Sequence, residues 1–286
     1  MAFLHAIPPG TRVRLAEVNA NEDGGVPKES GKQQLLALGD RLGDQLNLLY
    51  AAGEDSLLVV FQGRDSAGKD GSIRRILEHT NVQSTRVVPF KVPTEEERAH
   101  DFLWRVHRMV PAQGEVTLFN RSHYEDVLAV RVHSLAPKAI WQRRYDHINA
   151  FEDVVTERGT IIVKFFLHID PDEQYRRLLS RENDQTKSWK LNPADWNDRE
   201  RWDDYTEAYE DVLAKCSKPK APWFVVPANR KWFRDLAIAD TLVKTLEPYE
   251  AHWQERLQER ANAAHAAMAA YREAHGLATP AEVLGK

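Results

Sequence analysis

The feature that most constrains this chain is a glycine-rich segment between an apolar run and an amphipathic stretch. The apolar run at 57–61 predicts a buried parallel strand. The segment that follows, Gly63-Arg64-Asp65-Ser66-Ala67-Gly68-Lys69, has the spacing of a phosphate-binding loop. In such a loop the glycines turn backbone N–H groups inward, and the helix N-terminus and the lysine add positive charge. We predict a phosphate site here. The alternative is a plain strand-to-helix turn with a surface lysine.

Two acidic residues distinguish this loop from its usual form. Asp70 stands where a serine or threonine hydroxyl ordinarily contacts Mg²⁺, and Asp65 lies inside the loop. A carboxylate would repel a polyanion unless a metal ion lay between them, and Mg²⁺ on phosphates usually takes one or two carboxylates. We therefore expect Asp65 to hold Mg²⁺, directly or through water. The alternative is that Asp65 caps the following helix.

Composition limits the functions open to the chain. Its 286 residues, 42% hydrophobic and 29% charged, suit one large α/β domain or two small ones. A formal net charge of −4 provides no overall basic field for nucleic acid, so a polyanion site must be a local cluster. The single cysteine, Cys216, excludes an internal disulfide and fits a reducing compartment. Since we find no signal peptide or membrane-spanning pattern, we expect a cytoplasmic protein.

Strand and helix patterns alternate along most of the chain, which predicts a parallel sheet with helices on both faces. Further strands are expected over 84–90, 115–122, 160–169 and 223–227, and helices from Thr94 to about 108, over 137–156 and over 248–275. The last helix carries a seam of small and apolar residues that suits close packing, on the domain or on a second subunit. We interpret residues 1–286 as one domain with a lid near 177–201 and a C-terminal helical extension.

Polar residues at the end of the strand at 115–122 form a second candidate cluster. In a sheet of this type the strand beside the first one ends near the phosphates. We therefore expect Asn120 and Arg121 to reach the same site as Lys69. For Ser122 and Glu125, a capping box at the start of the next helix is the structural alternative.

A basic segment after the fourth strand is the third candidate. Arg177 and Arg181 are four residues apart and share a helix face, and Lys187, Lys190 and Arg199 follow. In a fold with a phosphate loop, this position predicts a mobile lid that neutralises a transferred phosphoryl group and excludes water. The alternative is a solvated basic helix face.

Several blocks of the sequence, taken together, resemble the second polyphosphate kinase family. They are GRDSAGKDG (63–71), DFLWR (101–105), FNRSHYED (119–126), KSWK (187–190), RERWDDY (199–205) and VVPANRKW (225–232). The blocks occur in order, and the similarity runs from about residue 30 to 250. The resemblance implies a P-loop kinase-like, thymidylate-kinase-like fold. It also implies Mg²⁺-dependent, reversible phosphoryl transfer between inorganic polyphosphate and nucleotides.

The resemblance implies roles for individual residues. Asp65 would hold Mg²⁺, Lys69 would contact phosphates, and Arg121 would clamp the phosphoryl group in flight, with Arg177 and Arg181 completing the catalytic set. The other phosphate-binding candidates are Gly63, Arg64, Ser66, Ala67, Gly68, Asp70, Gly71, Arg74, Lys187, Lys190 and Arg199, and the nucleotide-binding candidates are Asn120, Glu125 and Arg131.

The sequence departs from the family's commoner pattern at two positions. Asn120 replaces the usual aspartate, and Glu125 stands where asparagine is usual. Both departures resemble the third class, whose members act on nucleoside monophosphates as well as diphosphates. Because a neutral amide binds Mg²⁺ more weakly than a carboxylate, the metal role of position 120 is open, and Glu125 becomes a candidate nucleotide contact.

Two other functions remain open. An ATP-dependent nucleoside monophosphate kinase would have the same loop and lid but a nucleoside at its donor site. A P-loop protein that only binds polyanions would show salt-sensitive binding without turnover. We expect inorganic polyphosphate and purine nucleotides as partners, no nucleic acid or membrane, and a homo-oligomer, either dimer or tetramer. His123 is expected to be structural and not a phosphorylated residue.

Overall fold

A parallel sheet of five strands is the centre of the fold, as the alternating sequence pattern predicts. The computed structural model describes residues 2–186 and 188–284, without the side chain of Lys190. The strands are β1 (Ser56–Gly63), β2 (Thr85–Pro89), β3 (Val116–Asn120), β4 (Thr160–His168) and β5 (Trp223–Pro227). Their order in the sheet is β2-β3-β1-β4-β5, and each neighbouring pair is parallel.

Helices cover both faces of this sheet. The α-helices are α1 (Lys28–Ala52), α2 (Lys69–Leu77), α3 (Glu95–Ala99), α4 (Trp104–His107), α5 (Ala129–Val132), α6 (Lys138–Glu157), α7 (Pro171–Glu182), α8 (Pro193–Glu200), α9 (Trp202–Cys216), α10 (Lys231–Leu246), α11 (Glu250–His275) and α12 (Pro280–Leu284). Short 3₁₀ helices cover Leu15–Glu17, His123–Asp126, Ser188–Lys190 and Glu247–Tyr249.

Two hydrophobic cores lie on opposite faces of the sheet. Successive side chains of β1 alternate between them: Leu57 and Val59 face the core under α1 and α10, while Leu58 and Val60 face the core under α6 and α9. All residues of β1 are buried because both faces are covered, which is why its sequence is a continuous apolar run. The aromatic stripe of α9 lies in the second core, so the prediction that it serves packing is confirmed for Tyr205 and Tyr209.

The helix predicted from Thr94 to about 108 is wrong as a single helix. Thr94 does begin a helix, and its capping box with Glu97 is complete. The helix ends after five residues, and α4 forms a separate turn. The cause is Asp101, whose side chain accepts from the Leu103 N–H at 3.0 Å and thereby starts a new turn.

The C-terminal helix extends away from the domain. Trp253 is fully buried and anchors its first turns, but Leu257, Met268 and Tyr271 of the predicted seam are exposed. Packing of the whole seam on the domain is therefore wrong, and packing on a second subunit stays a prediction. Among residues 2–186 and 188–284, every helix is too short or too polar to cross a bilayer.

Candidate active site

The loop between β1 and α2 lines an open cleft of about 620 Å³ at the carboxyl ends of the strands. The chain can turn into α2 here because Gly68 adopts a φ of 107°, a conformation that side chains disfavour. A Cβ at Gly68 would also lie 1.9 Å from Nη1 of Arg234. Gly68 therefore leaves space for an arginine at the N-terminus of α2.

Lys69 is buried at the start of α2 and lines the cleft. Its Nζ donates to the carbonyl oxygens of Gly63 at 2.6 Å and Arg64 at 3.2 Å, so the ammonium lies within the curve of the loop. Burial lowers the pKa of Lys69 from its usual value, and the nearby charge of Arg121 acts in the same direction. A bound anion would relieve both effects.

Arg121 lines the same cleft from the end of β3. Register places Asn120 beside Phe61 of β1, and the N–H of Arg121 continues this pairing by donating to the Phe61 carbonyl at 3.0 Å. Its Nη2 lies 2.6 Å from Oδ1 of Asp65, and its Nη1 lies 4.0 Å from Oε2 of Glu125. These two carboxylates, Glu125 first, raise the pKa of the guanidinium.

Asp65 and Asp70 are the carboxylates of the loop and the start of α2, and both line the cleft. Oδ1 of Asp70 accepts from the Asn120 amide at 2.8 Å. The N-cap position of α2 is Gly68, and the Asp65 carboxylate is bonded to Arg121 at 2.6 Å, which does not fit the alternative role of Asp65 as the cap. Within 2–186 and 188–284, no group of three or more acidic, histidine or cysteine side chains is arranged to hold a metal ion. Two carboxylates beside the predicted phosphate site fit an ion that takes its other ligands from phosphate and water, as Mg²⁺ does.

Arg177 and Arg181 reach the cleft from α7. The Arg177 guanidinium donates to four backbone carbonyls at 2.7–3.0 Å, those of Ser66, Ala67, Ala228 and Asn229. It therefore ties α7 and the end of β5 to the phosphate loop. Arg181 pairs with Asp195 of α8 at 2.8 Å, which links the two helices of the proposed lid.

Three arginines that were predicted to bind phosphate or nucleotide point away from the large cleft. Arg64 lies over the Trp202 ring at 3.6 Å and donates to its carbonyl, and burial lowers its pKa to about 10. Arg199 donates to the Pro171 carbonyl at 2.7 Å. Arg131 pairs with acids of α9, at 2.7 Å from Asp211. Each guanidinium is held by partners distant in sequence, so the structure does not bring these three to the cleft.

The other predicted residues divide as follows. Gly68, Ser66, Asp70, Gly71, Arg74 and Asn120 line the large cleft, whereas Ala67 is fully buried in the core. Gly63 and Glu125 border a smaller cavity behind Arg121, together with Tyr205 and Tyr209. Ser122 caps the 3₁₀ turn 123–126 by accepting from the Tyr124 N–H. Lys187 and the side chain of Lys190 lie outside the described residues.

The structure adds cationic residues that the sequence reasoning did not select. Arg75 and Lys91 line the cleft, as do Lys231 and Arg234 of α10. Arg234 is buried, and its Nε lies 2.8 Å from Oδ1 of Asp235. For Lys231 and Arg234, the signal in the sequence was their position after β5, because the carboxyl ends of parallel strands lie at one edge of the sheet. Among the residues that the structure describes, nine cationic and four acidic side chains line the cleft, which favours a polyanion.

A parallel sheet with a phosphate loop between β1 and α2, open to a cationic cleft, defines an α/β protein of the P-loop kinase-like class. A family model described as polyphosphate kinase 2 matches residues 25–254. The chain belongs to this family, and the resemblance and fold class expected from the sequence are confirmed.

Relatives of known name agree with this membership. The chain is 45% identical over 247 residues to the AMP/ADP-polyphosphate phosphotransferase of Meiothermus ruber, a match that covers 85% of this chain and 92% of the relative. It is 40% identical over 240 residues to the ADP-polyphosphate phosphotransferase of Rhodopseudomonas palustris, with 80% and 83% covered. The crystal structure of polyphosphate kinase 2 from Arthrobacter aurescens TC1 superposes with a TM-score of 0.81 at 39% identity, covering 87% of this chain and 92% of that one.

Proposed function

We propose that this protein transfers phosphoryl groups reversibly between inorganic polyphosphate and purine nucleotides, converting AMP to ADP and ADP to ATP. The single observation that carries the proposal is the shared cleft, in which Lys69 and Arg121 face one space surrounded by cationic side chains. The similar proteins from Meiothermus ruber and Rhodopseudomonas palustris are named as polyphosphate phosphotransferases, which supports the substrate class.

The residues of the cleft suit a reaction that depends on positioning and charge. The attacking group is an anionic phosphate, so no general base is required. Lys69 and the loop N–H groups would hold the phosphates, and Arg121 would stabilise charge that develops on the transferred group. Asp65, with Asp70, would hold Mg²⁺, which when bound neutralises phosphate oxygens.

The shape and chemistry of the cleft favour polyphosphate over ATP as donor. Among the described residues, its cations come from five places around the opening: α2, the segment after β2, the end of β3, α7 and the start of α10. Pro89 and Phe90 supply its apolar side chains. A repeating chain of anions can use cations spread in this way, whereas a nucleoside needs apolar surface for its base.

The remaining expectations complete the proposal. Residues 177–201 form a lid that closes over the phosphates, with Arg177 and Arg181 at its base and Lys187 and Lys190 further along. Asn120 and Glu125 contribute to the choice of acceptor nucleotide. The protein works as a homo-oligomer in the cytoplasm, without nucleic acid or membrane partners.

The test is a product assay with AMP, polyphosphate and Mg²⁺ in the absence of ATP. We expect ADP first and ATP later, with both lost on chelation of the metal. Lys69→Ala should abolish turnover, whereas Lys32→Ala, an exposed lysine of α1, should leave it unchanged. Turnover that requires ATP would establish the nucleotide kinase alternative. Binding of polyphosphate without product would establish the binding-protein alternative.

A further inference from the structure

A buried ion pair lies beneath the turn that follows Arg121. Oε2 of Glu152 in α6 is 2.5 Å from Nζ of Lys164 in β4, and both side chains are at most 2% exposed. Removing two charges from water is costly, and a well-packed apolar pair would often be as stable. Stability alone therefore does not account for this pair.

The ion pair is hydrogen-bonded to two consecutive residues of the turn. Tyr124 donates its hydroxyl to Oε1 of Glu152 at 2.8 Å and accepts from Lys164 at 2.9 Å. Nε2 of His123 lies 3.2 Å from the same Oε1. Burial lowers the pKa of His123, which favours the neutral ring, and in that form a hydrogen on Nε2 would face the carboxylate. The third bond of Lys164 goes to the Cys216 carbonyl at 2.7 Å.

The backbone at Arg121 is held from both sides. Its φ of 61° is uncommon for a residue with a side chain. On the upstream side, the Arg121 N–H is bonded to β1. On the downstream side, the hydroxyl of Ser122 is buried and bonded to Gln62 at 3.0 Å and to the Tyr124 N–H at 3.2 Å. Uncommon backbone conformations persist where the surroundings leave no alternative.

We propose that Glu152, paired with Lys164, is a positioning residue for Arg121. It holds His123 and Tyr124, and these fix the turn from which the Arg121 side chain reaches the cleft. Neither member of the pair lines the cleft, so both act through the turn. The inference rests on the proposed function, since that function gives Arg121 a part in phosphoryl transfer.

The test compares Glu152→Gln with wild type in polyphosphate-dependent phosphorylation of AMP, with the folded fraction checked by circular dichroism. We expect kcat to fall about ten- to a hundredfold, because small displacements of a catalytic group have effects of this size. The KM for polyphosphate should stay within about twofold, since an interaction made mainly in the transition state is what is lost.

A double-mutant cycle separates positioning from plain destabilisation. In an Arg121→Ala background, Glu152→Gln should change kcat less than about twofold, because its effect passes through the missing side chain. Leu46→Ala, in the core on the other face of the sheet, is the matched control. It should lower thermal stability but have the same small effect on kcat of the folded enzyme with or without Arg121.

The outcomes distinguish this inference from the function on which it rests. A wild-type protein inactive with polyphosphate overturns the proposed function. Full kcat in folded Glu152→Gln, or an equal loss in both backgrounds, overturns the inference alone. If Glu152→Gln does not fold, Tyr124→Phe takes its place, since it removes one hydroxyl that joins the turn to the pair. Unchanged kcat in that variant also overturns the inference.

Discussion

At the scale of the residue, Arg121 combines an uncommon backbone conformation with a shared guanidinium. It stands at the end of β3 with a positive φ, and its guanidinium is shared between Asp65 and Glu125. Its long side chain extends from this backbone position to the cleft. The same side chain is therefore both a partner of the loop carboxylate and a candidate for the transferred phosphoryl group.

Replacing Arg121 with alanine should lower kcat about 10²–10³-fold. The physical reason is loss of one preorganised donor at developing charge, which costs about 2.7–4 kcal/mol in the barrier. Steady-state kinetics with polyphosphate and AMP measures the effect, and Arg14→Ala at an exposed position serves as control. A loss of less than about tenfold would remove Arg121 from the transition state.

Asp126, five residues after Arg121, should make stability depend on pH. Burial raises the pKa of its carboxyl to about 6 from 3.8, although Arg144 lies 2.9 Å away. Between these values the unfolded chain loses its proton first, so the free energy of unfolding falls as pH rises. The shift corresponds to about 3 kcal/mol.

Asp126→Asn should lack this component of the pH dependence. We expect the stability difference between wild type and variant to change by about 2.4 kcal/mol from pH 4 to pH 7, in the direction that favours wild type at low pH. Urea unfolding at intermediate pH values measures it, and Asp44→Asn, an exposed acid of α1, is the control. A constant difference across this range would show that Asp126 ionises normally.

At the scale of the element, the site is assembled by α2, α7 and α10 meeting at one loop. Arg177 bonds the loop carbonyls from α7, and Arg234 fills the space beside Gly68 from α10. The loop therefore depends on elements more than 100 residues later in the chain. The glycine spacing is necessary for the loop to curve around a phosphate, but the neighbouring arginines determine how much space the loop has.

Gly68→Ala should weaken polyphosphate binding in addition to lowering the free energy of unfolding. The new Cβ would lie 1.9 Å from Arg234 Nη1, so the arginine or the loop must move. Gly10→Ala is the matched control, because Gly10 also has a positive φ, but a Cβ there meets nothing within 4 Å. We expect both variants to lose about 1–3 kcal/mol of stability from backbone strain. Only Gly68→Ala should also weaken polyphosphate binding, measured by titration calorimetry; equal binding by both variants would contradict this.

At the scale of the whole molecule, the sheet separates two cores that have different surroundings. The core under α1 and α10 includes Ala67 of the loop, and the core under α6 and α9 holds the ion pair and Cys216. The outer part of α11 belongs to neither core, since its side chains beyond Trp253 are largely exposed. A second subunit remains the predicted partner for that seam.

The reactivity of the single cysteine should increase only when the whole protein unfolds. Cys216 is fully buried, and burial raises the pKa of its thiol to about 12 from 9.0. The thiolate is the reactive form, so this shift alone should slow labelling about a thousandfold. Labelling by a disulfide reagent in increasing urea should follow loss of circular dichroism. Rapid labelling of the native protein would show that the second core opens locally.

The sequence by itself predicted the glycine-rich loop between β1 and α2, the alternation of strands and helices, and a parallel sheet covered on both faces. These features follow from local patterns, because glycine spacing and apolar runs determine the conformation and burial of the same residues that form the pattern. The break at Asp101 was missed because one side-chain hydrogen bond outweighed helix propensity over a short stretch.

Only the tertiary structure decided where the long cationic side chains point. Arg64 turns to Trp202 and Arg131 to Asp211, whereas Arg234 turns into the cleft beside Gly68. An arginine has the same charge in each place, and its direction depends on partners that are 80 or more residues away. Folding brings those partners together. The chemistry of the site could therefore be predicted from the sequence, but which arginines and lysines line the cleft could not.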